Sequence, residues 1–215
     1  MTTALNGTSF VTKDEGTEAD EQQEMVRKVA VSSFLGNFIE WFDYASYSYF
    51  ATVIAVVFFS NSNHTVALLE TFAVFALSFV LRPIGALFWG SFGDRHGRKA
   101  ALSLSVLLMS GASFLIGCLP GYATIGIAAP ALLLLLRMVQ GFSASGEYAG
   151  AATFLGEYAP TKKRGIYCSL IPASTAIGLL CGSLMATVMT SVLSSEAMAS
   201  WGWRVPFLLD RKSVV

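Results

Sequence analysis

Apolar residues run through the chain in five long blocks separated by short polar stretches, and a sixth block opens near the end. The full blocks cover about Val29 to Phe59, Leu68 to Phe92, Ala100 to Leu119, Ala128 to Leu155 and Gly165 to Leu193. A helix needs about 20 apolar residues to cross about 30 Å of hydrocarbon, and each block meets that length. The pattern therefore predicts an all-α integral membrane protein with five complete spans. Val205 to Leu209 reads as the start of a sixth helix, too short to span by itself. Three regions follow: a polar segment at 1–28, the helical body at 29–209, and a divergent tail at 210–215.

The first region carries Lys13, Arg27 and Lys28 against Asp14, Glu15, Glu18, Asp20, Glu21 and Glu24. With so little apolar surface to bury, it reads as a disordered tail. No apolar run follows an early basic cluster, so it does not read as a signal peptide. Composition agrees with a membrane protein. Of the 215 residues 54% are hydrophobic and 13% charged, about half the charged fraction of soluble domains. Net charge is zero, so no basic footprint points to nucleic acid. Cys118, Cys168 and Cys181 match no metal or redox spacing, and His64 and His96 have no ligand partner at useful spacing. No metal site, cofactor or enzymatic centre is expected, and no phosphate-cradling glycine loop suggests nucleotide drive.

Loop charges set the expected orientation. Lys and Arg fall in the N-terminal segment, in the loop after the second helix and in the loop after the fourth. The loops after the first and third helices have none. Positive charge stays on the cytoplasmic side, which predicts a cytoplasmic N-terminus in a multi-pass plasma-membrane protein.

Ionisable residues within a span are costly and mark function by default. Glu40 and Asp43 lie three residues apart and share a face of the first helix. Two carboxylates on one desolvated face repel, and such a carboxyl can take up and release a proton at physiological pH. The competing structural use is an ion pair between one of them and Arg82 or Arg137. Trp41, Tyr44 and Tyr47 surround the pair, and aromatic faces attract quaternary ammonium groups. In the fourth helix Arg137 and Gln140 share a face, with Glu147 seven residues further along. Ser174, Gly178, Gly182 and Ala186 form a small-residue stripe on the fifth helix that lets helices approach closely.

The turn at 90–99 holds Gly90, Asp94, Arg95, Gly97, Arg98 and Lys99 between two apolar blocks. Its G-x-x-x-D-R-x-G-R-K pattern resembles the signature loop between helices 2 and 3 of the major facilitator superfamily. The R-x-x-Q-G at Arg137 resembles a second motif of that family. GNFIEWFDY at 36–44, LRPIG at 81–85, QGFSASGEYAGA from Gln140 and WGWRVPF from Trp201 resemble its metabolite:proton symporter branch, most of all the proline/glycine-betaine members. The resemblance covers about residues 30 to 209 and breaks at Asp210, where an apolar sixth helix is expected to continue. It implies the N-terminal half of a helical bundle of twelve spans, so that a missing C-terminal half is needed for function. It also implies a symporter for a small zwitterion or organic acid, driven by a proton gradient through alternating access. α-Ketoglutarate-, citrate- or shikimate-type organic acids are the alternative substrates, and a non-transporting membrane fragment or subunit is the other alternative. On this reading Glu40, Asp43 and Glu147 couple protons, and Arg137, Gln140, Trp41, Tyr44 and Tyr47 meet the substrate. The charged turn forms a cytoplasmic gate.

Overall fold

The computed structural model describes residues 12–59, 63–145, 152 and 155–209. Helices α1 (Thr12–Tyr49) and α2 (Ala51–Phe58) form the first span, joined with little interruption at Phe50. The amide of Phe50 still donates to the Ser46 carbonyl at 3.0 Å, and Ile54 donates to Phe50 at 2.8 Å. The second span is α3 (His64–Val80) and α4 (Arg82–His96). Asn63 caps α3 by accepting from the Thr65 amide at 3.0 Å. The break between α3 and α4 falls just ahead of Pro83, whose ring has no N–H to continue the helical ladder. Then come α5 (Arg98–Cys118), the short α6 (Tyr122–Ile125), α7 (Ala128–Ala144) and α8 (Arg164–Val192). A single turn, α9 (Ser195–Ala197), a π-helical turn (Met198–Gly202) and α10 (Arg204–Leu209) end the described chain.

Several boundaries differ from the sequence expectation. Helix starts at Thr12, inside the polar segment that reads as a disordered tail. Val26 there and Ala30 just after it are buried against Leu155, Ala159 and Ile171, and this packing anchors the polar end of α1. At 38 residues α1 is roughly 57 Å long at 1.5 Å per residue, so its polar start projects well past the hydrocarbon. The charged turn is narrower than expected. α4 runs through Asp94 and Arg95 to His96, and Gly97 alone joins it to α5. Its φ of 92° lies where a side chain is strained, so glycine is needed there.

Two close-packed pairings hold the bundle together. α1 lies along α8, and α7 packs between α5 and the α3–α4 span. The stripe on α8 faces α1, with Ser174, Gly178, Gly182 and Ala186 all buried. A methyl added at Gly178 would sit 2.6 Å from the Phe38 carbonyl, and one at Gly141 would sit 1.9 Å from that of Ser78. Both sites therefore exclude alanine, as expected where backbones touch. The core is aromatic at one end, where Phe50, Phe58, Trp203 and Phe207 are buried together. Arg204 donates to the Gly117 carbonyl at 2.9 Å and so satisfies the C-terminal end of α5.

The outside of the bundle is apolar. Leu69, Val80, Leu87, Ile166, Leu180, Leu184 and Val192 are exposed. His64–His96 and Arg164–Val192 are long and apolar enough to cross a membrane, at mean hydropathies of 1.8 and 1.6. Only 22% of either window is buried, the reverse of a helix at the centre of a soluble domain.

Candidate functional site

The polar centre of the bundle is built around one face of α1. Asn37, Glu40 and Asp43 are each 2–3% exposed and point to three different partners. The Asn37 amide lies 3.0 Å from the Ile171 carbonyl and 2.8 Å from the hydroxyls of both Ser174 and Thr175, tying α1 to α8 beside Pro172. Its oxygen accepts from Trp41 Nε1 at 3.2 Å.

Glu40 and Asp43 do not compete for one arginine. Glu40 is ion-paired with Arg82 at the start of α4, and the same guanidinium nitrogen donates to the Tyr44 hydroxyl at 2.7 Å. The guanidinium lies 4.6 Å from the ring centre of Phe79 and 5.2 Å from that of Tyr44, a cation–π arrangement. Asp43 takes Arg137 of α7 at 2.6 Å, with Gln140 3.5 Å away. Arg137 is covered by the rings of Tyr47 at 3.9 Å and Phe207 at 5.5 Å. Gln140 also donates to Ser113 of α5 at 2.6 Å, while the Tyr47 hydroxyl donates to the Thr71 carbonyl at 3.0 Å. A one-turn difference on α1 thus sends two carboxylates to two different helices.

The residues picked from the sequence divide as follows. Glu40, Asp43, Tyr44, Tyr47, Arg137 and Gln140 converge on this centre, with Trp41 at its edge, 5.9 Å from Tyr44 between ring centres. Glu147 lies outside the described residues, as do the side chains of Arg98 and Lys99. Gly90, Asp94 and Arg95 are exposed on α4, away from the centre, and open space surrounds Gly90. Arg82, Phe79 and Asn37 were not assigned to the site from sequence. The placement of Arg82 beside Pro83 was the available signal, because a helix break inside a span frees a side chain to turn inward.

The site is thus a pair of buried ion pairs at the polar centre of a bundle whose outer face is apolar. Residues 28–211 match the family described as sugar (and other) transporter. The chain belongs to that family. It is 40% identical over 184 residues to the proline/betaine transporter of Salmonella typhimurium, across 86% of this chain and 37% of that protein. It is 39% identical over 184 residues to the glycine betaine/proline/ectoine/pipecolic acid transporter of Dickeya dadantii, with the same coverage. The fold matches a solved proton:xylose symporter, XylE, with a TM-score of 0.76 and 16% identity, over 90% of this chain and 43% of the other. The chain thus spans less than half the length of these relatives. It is a multi-pass membrane protein of this family.

Proposed function

We propose that this chain forms the N-terminal half of a proton-coupled symporter for a small zwitterion, with proline or glycine betaine as the best-supported substrates. The relatives' substrates support that class. The observation that carries the coupling is the pair of buried carboxylates, Glu40 and Asp43, each held by its own arginine inside a membrane bundle. An ion pair in that setting is stable only while both charges are present, because losing one leaves the other buried and unmatched. Taking a proton onto either carboxylate therefore releases its arginine, which links protonation to movement of α1 against α4 or α7. Glu147 on the fourth span is the third candidate for coupling. Arg137 is completely buried, which favours a role in holding Asp43 over direct contact with substrate.

A second half closes the substrate site, and transport runs by alternating access between the halves. The turn at Asp94, Arg95, Gly97, Arg98 and Lys99 serves as the cytoplasmic latch, with Gly90 leaving room beside it. The N-terminus is cytoplasmic and the membrane is the plasma membrane, as the loop charges favour. The test joins this chain to the remainder of the Salmonella relative and measures radiolabelled betaine uptake into vesicles with an imposed pH gradient. Acid outside should accelerate uptake, and a protonophore should abolish accumulation. Uptake that ignores both treatments overturns the coupling.

A further inference from the structure

The two arginines at the centre differ in what can reach them. Arg137 has no exposed surface, and aromatic rings cover it. Arg82 keeps 27% of its side chain exposed, although its Nε is buried and has no hydrogen-bond partner. It stands at the α3–α4 break, in contact with Glu40 and Tyr44 and stacked against Phe79. The partly exposed rings of Trp41, Phe75 and Phe79 lie around Tyr44. A partly exposed guanidinium that already grips a carboxylate, with neighbouring ring faces, complements a molecule that carries both a carboxylate and an ammonium.

We propose that Arg82 is the carboxylate-binding residue for a small zwitterion, that the substrate carboxylate replaces Glu40 on it, and that the adjoining aromatic faces receive the ammonium group. This rests on the transport reading above and names the side chain that performs its first step. Charge balance makes the exchange consequential. Once Arg82 turns to the substrate, Glu40 remains almost fully buried without its partner, and an isolated buried carboxylate is costly. The other ionisable groups acting on it are Asp43 and Tyr44, both on α1, and Arg137 engages Asp43. From α8, the neighbours of this stretch of α1 are Ser174, Thr175 and Gly178, which supply no cation. Glu40 is therefore neutralised by a proton as the substrate binds, so substrate and proton load together.

The test uses the 215-residue chain in nanodiscs of phosphatidylethanolamine and phosphatidylglycerol, which carry no choline methyls. Saturation-transfer NMR reads the nine-proton methyl signal of three probes. These are glycine betaine, its uncharged-methyl isostere 3,3-dimethylbutanoate, and choline, which lacks the carboxylate. Betaine should bind most tightly. Arg82→Gln should weaken betaine and 3,3-dimethylbutanoate by about ten-fold and leave choline unchanged. Glu40→Gln removes the internal competitor and should tighten betaine by about three-fold or more, with the affinity no longer improving at acid pH. Unchanged betaine binding by folded Arg82→Gln protein overturns the proposal, as does weaker binding by Glu40→Gln. If Arg82→Gln fails to fold, the near-isosteric Glu40→Gln decides alone. Silence from all three probes also overturns it, while the vesicle assay separately decides whether the transport reading stands.

Discussion

The Glu40–Arg82 and Asp43–Arg137 pairs start one turn apart on the same helix, yet they are built for different work. Asp43–Arg137 is sealed, with side-chain exposures of 2% and 0%, an aromatic lid and Gln140 in support. Glu40–Arg82 is sealed on the carboxylate side and open on the arginine side, at 2% and 27%. What separates them is the helix each arginine sits on. α7 is unbroken at Arg137, which is fully buried, whereas the break before Pro83 leaves Arg82 at a helix start and partly exposed. A closed pair suits a strut whose charges part only in a large movement. A half-open pair suits exchange of one carboxylate for another.

That contrast can be broken by stability measurements, taken as thermal unfolding of purified protein in nanodiscs. Arg137→Leu should be the most damaging, at about 3–5 kcal/mol, because it strands Asp43 without a partner. Adding Asp43→Leu should restore more than half of the loss, since an apolar pair can replace a buried ionic one. Arg82→Leu should cost less, about 1–3 kcal/mol, because this arginine is partly exposed and gives up less buried contact than Arg137. Equal losses for the two arginines would erase the distinction. Asn37→Leu should cost about 1 kcal/mol, since Ser174 and Thr175 both retain the Ile171 carbonyl as an alternative partner. Lys28→Ala should leave the melting temperature unchanged. Its partner Glu24 sits 2.8 Å away on an exposed turn, where ion pairs count for little. Lys28 holds the Glu24 carboxyl below its ordinary value of 4.5, by hydrogen bond first and charge second. Whatever that pair contributes is present above pH 4.5 and is lost as acid protonates Glu24.

Much of this arrangement is legible in the sequence, because a membrane enforces a simple code. Helix count and order follow from block length alone, and Glu40, Asp43 and Arg137 stand out because charges inside apolar blocks are rare. Pairing is not legible in the same way. Glu40 and Asp43 share a face, which suggests repulsion and an ion pair from one of them to Arg82 or Arg137. Only the fold, which brings Arg82 of α4 to Glu40 and Arg137 of α7 to Asp43, shows that each carboxylate has its own. Arg82 is legible as a possible partner for either carboxylate, but which one it takes is not. The second block reads as one continuous helix through Pro83, and nothing local states that a break there turns the side chain toward Glu40. The helical start of α1 was also hidden, because the burial of Val26 depends on Leu155 and Ile171 far along the chain. Polar composition reports what a segment lacks by itself, not what a distant segment offers it.

The central claim is that the α1 carboxylates couple proton entry to substrate uptake. Its most direct test is radiolabelled betaine uptake under an imposed pH gradient, by the joined transporter and its Glu40→Gln and Asp43→Asn variants. Both amides keep shape and remove the titration. The account predicts that at least one, Glu40→Gln foremost, loses accumulation against the gradient while still exchanging substrate across the membrane, because exchange needs no net proton release. If both variants still concentrate betaine like the parent, the α1 carboxylates are structural and the account is contradicted.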